Sequence, residues 1–262
     1  MDPKRAVEPV EIEWFEEVES TQLVARGRVE RGLSAARGFA ARVQTSGYGR
    51  HGRVWQSPAG GLWMTLALPD VADESIASAG VRVGAACGRV VEELVGGGRV
   101  RIKWPNDVLV DGGKVCGVLC ESVLHGGRRW LLVGIGMNVN NGAATLTGHL
   151  RRAAVALCEL TGGEVDLKRL AERVASEVRG SLLGEAWRSE LEWAAARLWK
   201  LDERVVVLGG DGSRGSALVR GLSDGGGLVV EMDGRRRVLD GGSVIESWDE
   251  RGGHGAESGG EP

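Results

Sequence analysis

Apolar and polar positions in the first hundred residues of the chain follow strand-like and helix-like patterns in turn. EIEWFEEVE is typical of a short strand, and Ser20 or Thr21 after it is suited to cap a helix over QLVARGRVERG. FAARVQ and the apolar run GGLWMTLALP each predict a strand, the second largely buried. In ESIASAGVRVGAACGRVVEELVGGG, apolar residues recur at helical spacing before a glycine stop, which predicts a core helix of about six turns.

Three further strands and two helices are predicted between residues 99 and 199. RVRIKWP, DVLVDGGKVCGVLCESV with its Asp-Gly-Gly turn, and RRWLLVGIGMNVN have the composition of strands. Helical patterns follow at about residues 151 to 161 and 166 to 199. This order of elements predicts an α+β fold, in which a mixed or antiparallel sheet packs against helices.

From Leu201 onward the pattern changes to short apolar runs separated by Gly and Asp turns. Five strands in fewer than fifty residues are typical of a small β-barrel of the SH3-like type. We therefore predict one domain over residues 11 to 200 and a barrel domain over 201 to 248. Residues 1 to 10 and the Gly-rich residues 249 to 262 are predicted to be a disordered leader and tail.

Charge and cysteine content narrow the classes of function. The net charge of −3 and the pI near 5.9 offer no global attraction for a polyanion, which disfavours a nucleic-acid partner. The four cysteines form no C-x-x-C pair and lie in apolar surroundings, as expected for reduced core residues of a cytoplasmic protein. No segment has the length or apolar character of a signal peptide or a membrane span.

The segment VQTSGYGRHGRVWQSP is the first candidate for chemistry. Gly47, Gly49 and Gly52 allow the backbone to approach a ligand closely. Arg50 and Arg53 carry planar forks that suit a carboxylate or a phosphate. The alternative is a hairpin tip whose arginines face solvent, and the segment alone does not decide between the two.

The second candidate is KWPNDVLVDGGKVCGVLCES, residues 103 to 122. Asp107 is an acceptor able to hold Mg²⁺, and Asn106 can bond a phosphate or a ribose, although an ordinary turn uses Asn-Asp in the same way. Lys114 is one of only five lysines beside 28 arginines, and it precedes an apolar strand. It is placed either to grip a ligand carboxylate at the sheet rim or to sit at a solvated hairpin tip.

The segment VGIGMNVN is the third candidate. Gly134, Gly136 and Asn138 end a strand, but the third glycine and the βαβ unit of a dinucleotide fingerprint are missing. Small residues there are expected to leave room for a ligand against the sheet.

These segments together with Ser20 and Thr21 resemble the biotin protein ligases, also called biotin–[acetyl-CoA-carboxylase] ligases. The resemblance runs in order over residues 11 to 248 and rests on QTSGYGRHGRVW, KWPNDV, GGKVCGVLCE and GIGMNVN. It implies a class II synthetase-like catalytic domain followed by the barrel. It also implies ATP and biotin as substrates, Mg²⁺, a biotinyl-5′-AMP intermediate, and transfer to a lysine of the biotin carboxyl carrier protein or domain of acetyl-CoA carboxylase.

The resemblance also implies roles for individual residues, with Arg50 and Lys114 as the catalytic ones. The biotin site would comprise Ser20, Thr21, Gln22, Gln44, Gly47, Tyr48, Gly49, Arg50, Trp55, Lys114, Gly117 and Gly134. The nucleotide site would comprise Arg50, Arg53, Trp55, Lys103, Asn106, Asp107 and Asn138, with Asp107 the candidate for Mg²⁺.

Three residues depart from the family pattern. Tyr48 stands where Arg or Lys is frequent, His51 replaces a second arginine, and Gln22 stands where Asn is usual. The first two lower the positive charge of the loop, so the loop is expected either to grip the adenylate more weakly or to rely on stacking by Tyr48.

Several alternatives remain open at this level. Some family members carry an N-terminal winged helix that represses transcription. The resemblance here starts within about twenty residues of Met1, so we expect a ligase without that role, as a monomer or a homodimer. The rival functions are a lipoate–protein ligase and a non-catalytic biotin-binding adaptor.

Overall fold

The structure is a computed structural model that describes residues 9 to 142, 145, 154 to 184, 187 to 209 and 214 to 245. The predicted tail, most of the predicted leader, residues 151 to 153 of a predicted helix and residues 246 to 248 of the last predicted strand lie outside the described residues.

Strands and helices follow the order that the sequence predicts. The strands are β1 (Ile12–Val18), β2 (Arg37–Gln44), β3 (Leu62–Pro69), β4 (Val100–Lys103), β5 (Asp107–Val110), β6 (Gly113–His125), β7 (Arg128–Met137), β8 (Arg204–Leu208), β9 (Arg214–Leu222), β10 (Leu228–Met232), β11 (Arg235–Leu239) and β12 (Ser243–Ile245). The helices are α1 (Thr21–Glu30), α2 (Asp73–Ala77), α3 (Ala79–Val95), α4 (Leu157–Thr161), α5 (Leu167–Leu183) and α6 (Trp187–Ala196).

Both long helical predictions are divided in the structure. The predicted six-turn helix is α2 followed by α3, because Ser78 leaves helical geometry and its hydroxyl donates to the Glu74 carbonyl. The predicted helix over 166 to 199 is α5 and α6, since the chain becomes extended at Gly184. Such breaks leave apolar periodicity intact on both sides, so the pattern alone does not reveal them.

A seven-stranded mixed sheet forms the larger part of the molecule, with strand order β1-β2-β3-β7-β6-β5-β4. β1 and β2 are parallel, and the other neighbours are antiparallel. Helices α3 and α5 cover one face and build the main core, while α1 covers part of the other face through Ala25 and Val29. Because side chains alternate across a strand, β6 and β7 send every second residue to the α1 face.

A second sheet of five antiparallel strands follows, in the order β11-β10-β9-β8-β12. Within the described residues no pairing joins the edge strands β11 and β12, so closure into a barrel stays a prediction. The Trp104 indole of the first unit donates to the Gly226 carbonyl of the second at 3.0 Å, and Val244 of β12 lines the cavity described below. The second sheet therefore borders the candidate site.

The cysteines are unpaired, as the sequence predicts. Cys87 and Cys116 are buried, and burial raises the pKa of the Cys120 thiol to about 12. In the described part of the chain, no helix has both the length and the apolar character needed to cross a membrane.

Candidate functional site

A cavity of about 960 Å³ lies between the sheet, the N-terminus of α1 and the loop of residues 45 to 58. Every residue that the sequence assigns to the biotin or nucleotide site lines this cavity, except Gly47. Gly47 is buried inside the loop itself, where a Cβ would lie 2.6 Å from the Trp55 carbonyl oxygen. It therefore shapes the loop rather than the cavity wall.

The cavity floor is a glycine surface on the α1 face of the sheet. Gly117 of β6 pairs in register with Gly136 of β7, and Gly134 lies two residues further along the same strand. Alternation puts all three on the face away from the main core, where the absence of side chains leaves space above the sheet. The sequence analysis placed Gly117 and Gly134 in the biotin site and expected Gly136 only to leave room for a ligand against the sheet.

The Trp55 ring lies on the glycine pair. A Cβ at Gly136 would stand 2.5 Å from the indole Nε1, and one at Gly117 would stand 2.9 Å from the ring carbon Cζ3. The Nε1 group is buried and has no hydrogen-bond partner among the described residues. Lys114 Nζ lies 4.7 Å from the ring centroid, within cation–π range. Trp55 thus joins the loop to the floor.

Replacing Gly136 by alanine is expected to lower the free energy of unfolding by about 1 to 3 kcal/mol, because the new methyl group overlaps the indole. Gly180→Ala in α5 is the matched control, since nothing lies within 4 Å of its Cβ position. It should be neutral or stabilising by up to about 1 kcal/mol. Urea unfolding measures both changes, and equal stability of Gly136→Ala and the wild type would contradict this packing.

Lys114 of β6 and Asp107 of β5 form an ion pair across the β5–β6 hairpin. Lys114 Nζ lies 2.7 Å from Asp107 Oδ1, and both side chains are partly buried. Asn138 holds the lysine backbone by donating from Nδ2 to the Lys114 carbonyl at 3.3 Å, and its Oδ1 accepts from Asn141. Asn138 therefore has a positioning contact with Lys114 that the sequence did not indicate.

The loop of residues 45 to 58 is an ordered hairpin with bridges between Gln44 and Ser57 and between Tyr48 and Val54. Its tip is a short 3-10 turn, Arg50–Gly52. The Arg50 guanidinium points back to the sheet and donates to Asn106 Oδ1 at 3.3 Å. Burial lowers the pKa of Arg50, and the Asp107 carboxylate opposes that shift.

Positive charge exceeds negative charge in the described cavity lining. Its single carboxylate is Asp107, and its cations are Arg50, Arg53, Lys103 and Lys114. Such a lining favours anionic ligands. Among the described residues no three His, Cys, Asp or Glu side chains gather as a metal site.

The N-terminus of α1 forms the opposite end of the cavity. Ser20 caps the helix, because its hydroxyl oxygen accepts a hydrogen bond from the backbone N–H of Gln22 at 3.2 Å. The Thr21 amide donates to Gln44 Oε1 at 2.8 Å, and the Thr21 and Thr65 hydroxyls are 2.9 Å apart. This end is polar, buried and internally hydrogen-bonded, and Thr65 is a member that the sequence analysis missed.

Two of the three departures from the family pattern meet at one residue, Glu121. Gln22 Nε2 donates to Glu121 Oε2 at 3.0 Å, and the Tyr48 hydroxyl donates to the same oxygen at 3.4 Å. His51 instead lies exposed at the loop tip with φ 58°, a left-handed conformation in which His is enriched among non-glycine residues. Each departure therefore has a structural place.

The chain is similar to known proteins over most of its length. The model of the biotin/lipoate A/B protein ligase family matches residues 14–140. The biotin–[acetyl-CoA-carboxylase] ligase of Paracoccus denitrificans is 30% identical over 238 residues, which cover 82% of this chain and 92% of that protein. The chain belongs to the biotin protein ligase family. The family resemblance of the motifs is thereby confirmed.

Two further relatives match this chain over different shares of their own length. A biotin protein ligase from Aquifex aeolicus, solved in complex with biotin and ATP, is 27% identical with a TM-score of 0.73, covering 90% of this chain and 97% of that one. The bifunctional ligase/repressor BirA of Bacillus spizizenii is 33% identical over 152 residues, covering 57% of this chain. The matched segment covers only 46% of the length of that protein.

Proposed function

We propose that the chain activates biotin with ATP and transfers it to a lysine of a carrier protein. The observation that carries the proposal is the convergence of Arg50, Lys114 and the buried polar end at Ser20 and Thr21 on one cavity. The names of the relatives from Paracoccus and Aquifex support it, because they specify biotin, ATP and acetyl-CoA carboxylase.

In the first step a biotin carboxylate oxygen bonds to the α-phosphorus of ATP, and the bond to pyrophosphate breaks. Two anions must approach each other, so cations are needed near both. Lys114 and Arg50 supply this charge in our proposal. An incoming carboxylate has to compete with Asp107 for Lys114, since those groups already lie 2.7 Å apart.

In the second step a carrier lysine amine attacks the acyl carbon of biotinyl-5′-AMP, AMP leaves, and the amine loses a proton. A hydrogen bond from Lys114 to the acyl oxygen would make that carbon more electrophilic. The loop with Arg50 and Trp55 covers the cavity, which would exclude water that otherwise hydrolyses the acyl-adenylate.

Mg²⁺ enters this proposal with the nucleotide. It would neutralise triphosphate charge, and Asp107 is the only carboxylate in the described cavity lining that could contact it. One carboxylate plus substrate phosphates is an ordinary magnesium environment. Asn106 and Lys103, beside Asp107 in the lining, are proposed to contact the nucleotide.

The remaining parts of the proposal concern the domain organisation, the acceptor protein, the cellular location and the oligomeric state. We assign the catalytic domain to residues 11 to 200 and a closing SH3-like barrel to 201 to 248, supported by five short antiparallel strands in which β12 returns to pair with β8. The acceptor is the biotin carboxyl carrier protein or domain of acetyl-CoA carboxylase. A cytoplasmic site of reaction fits the ATP substrate and the free cysteines. A monomer or homodimer remains the prediction.

Biotin-dependent exchange of labelled pyrophosphate into ATP tests the proposed activity. The purified chain is expected to exchange with biotin and not with lipoate, and then to add one biotin mass to a carrier domain. Exchange with lipoate alone would show a lipoate ligase. A folded protein that binds biotin without exchange would be the non-catalytic adaptor.

A further inference from the structure

Glu121 is the meeting point of three hydrogen-bond donors from two other parts of the fold. It lies on the cavity face of β6, in register with Leu132 of β7. Its Oε2 accepts from Gln22 Nε2 at 3.0 Å, from Arg26 Nη2 at 3.2 Å and from the Tyr48 hydroxyl at 3.4 Å. Gln22 and Arg26 belong to α1, and Tyr48 belongs to the loop over the cavity.

The Glu121 carboxylate, together with the Leu132 carbonyl, decides which way the Gln22 side-chain amide points, because Nε2 donates to Glu121 Oε2 at 3.0 Å and to the Leu132 oxygen at 3.5 Å. An ionised carboxylate only accepts, so it binds the NH₂ group of Gln22 and turns the carbonyl oxygen the other way. That oxygen, Oε1, lies 2.8 Å from the Cβ position of Gly134 on the cavity floor and accepts from Thr65 at 3.0 Å. A carbonyl oxygen has two lone pairs, so one remains to accept a ligand N–H.

The contact with Tyr48 ties the loop to the same carboxylate. Tyr48 is half-buried and lies opposite Val54, next to the Arg50–Gly52 tip. Its hydrogen bond to Glu121 of β6 is one side-chain link between the loop and the biotin end of the cavity, and the bond from Gln44 Nε2 to the Ser57 hydroxyl is another. The same oxygen atom of Glu121 therefore contacts both the loop and Gln22.

We propose that Glu121 is a positioning residue that holds the Gln22 carbonyl toward an N–H group of the ligand and anchors the loop through Tyr48. This inference rests on the proposed function, in which the ureido ring of biotin supplies that N–H group. It couples recognition of biotin to closure of the loop that retains the adenylate.

The test compares two matched ion pairs of α1. Glu121→Gln weakens the ion pair of Arg26 and Glu121, whose side chains are 36% and 28% exposed, respectively. Glu13→Gln weakens the pair of Arg28 and Glu13, which are 42% and 32% exposed and do not line the cavity. In calorimetry, Glu121→Gln is expected to raise the Kd for biotin about tenfold and to leave that for ATP unchanged. Glu13→Gln should change neither.

Tyr48 supplies a readout that does not depend on activity, because it is the only tyrosine of the chain. Burial and the Glu121 carboxylate raise the pKa of Tyr48, while Arg26 opposes this. Phenolate absorbance in an alkaline titration, with folding followed by circular dichroism, should therefore show a lower Tyr48 pKa in Glu121→Gln. The Glu13→Gln variant should titrate as the wild type.

A double-mutant cycle with Tyr48→Phe tests the coupling itself. Tyr48→Phe alone should speed release of biotinyl-5′-AMP, and should add little in the Glu121→Gln background. An unchanged Kd for biotin in Glu121→Gln, or additive effects in the cycle, would overturn the proposal. A wild-type chain that does not bind biotin would instead refute the proposed function, while the Tyr48 titration would still report the contact.

Discussion

Replacing Lys114 by alanine is expected to lower the rate of biotin-dependent pyrophosphate exchange by about a hundredfold or more. Loss of one preorganised donor at a reacting centre costs about 2.7 to 4 kcal/mol in comparable sites. In this site a second effect adds to the loss of the donor, since the Asp107 carboxylate, 2.7 Å from Lys114 Nζ, would keep its negative charge without its lysine partner. That carboxylate would then repel both the biotin carboxylate and the phosphates.

Two variants separate these effects. Lys114→Ala combined with Asp107→Asn removes the uncompensated carboxylate, so biotin binding should recover in part while exchange stays slow. Lys168→Ala, which removes an exposed lysine of α5 outside the cavity lining, is the matched control and should exchange as the wild type. Wild-type exchange in Lys114→Ala would remove the lysine from the proposed mechanism.

Replacing Arg50 by alanine is expected to uncouple the two steps. The Arg50 guanidinium joins the loop to the sheet through Asn106 at 3.3 Å, and it is one of the two cations proposed to offset the charge at phosphorus. Its loss should slow adenylate formation by about 2 to 4 kcal/mol in activation free energy. It should also loosen the loop, so that part of the biotinyl-5′-AMP escapes and hydrolyses.

The ratio of AMP formed to carrier biotinylated measures this leak. The ratio should stay near one in the wild type and rise in Arg50→Ala. Arg42→Ala is a suitable control, because Arg42 lies on β2 with a side chain 62% exposed and 3.5 Å from Glu16. A ratio that stays near one in Arg50→Ala, at a wild-type rate, would show that the loop needs no such anchor.

Local patterns were sufficient to predict most elements of the fold. The strands from β1 to β12 occur where alternation, apolar runs and Gly or Asp turns place them. The capped start of α1 was also predictable, because Ser20 and Thr21 precede an apolar-periodic segment. The breaks at Ser78 and Gly184 were not, since the apolar pattern continues across both.

The candidate site was predictable in its members but not in its internal contacts. Glycines at 117 and 134 and the cations at 50 and 114 carry motif signals. Thr65 carries none, and the motif segments that contain Gly136 and Glu121 do not indicate their contacts, because these arise from neighbours on other strands, on α1 and in the loop. The sequence pattern of separate strands does not tell which of their side chains lie next to each other on one face of the sheet, because this depends on the register of strand pairing.

The sequence by itself determined the order of elements, the glycine and arginine loop, and the family to which the chain belongs, because these depend on residue types at short spacings. The tertiary structure decided that Trp55 covers the Gly117 and Gly136 pair, that Asp107 faces Lys114, and that Gln22 and Tyr48 share Glu121. Those contacts join residues far apart in sequence. They depend on sheet register and helix placement, which only packing of the whole core establishes.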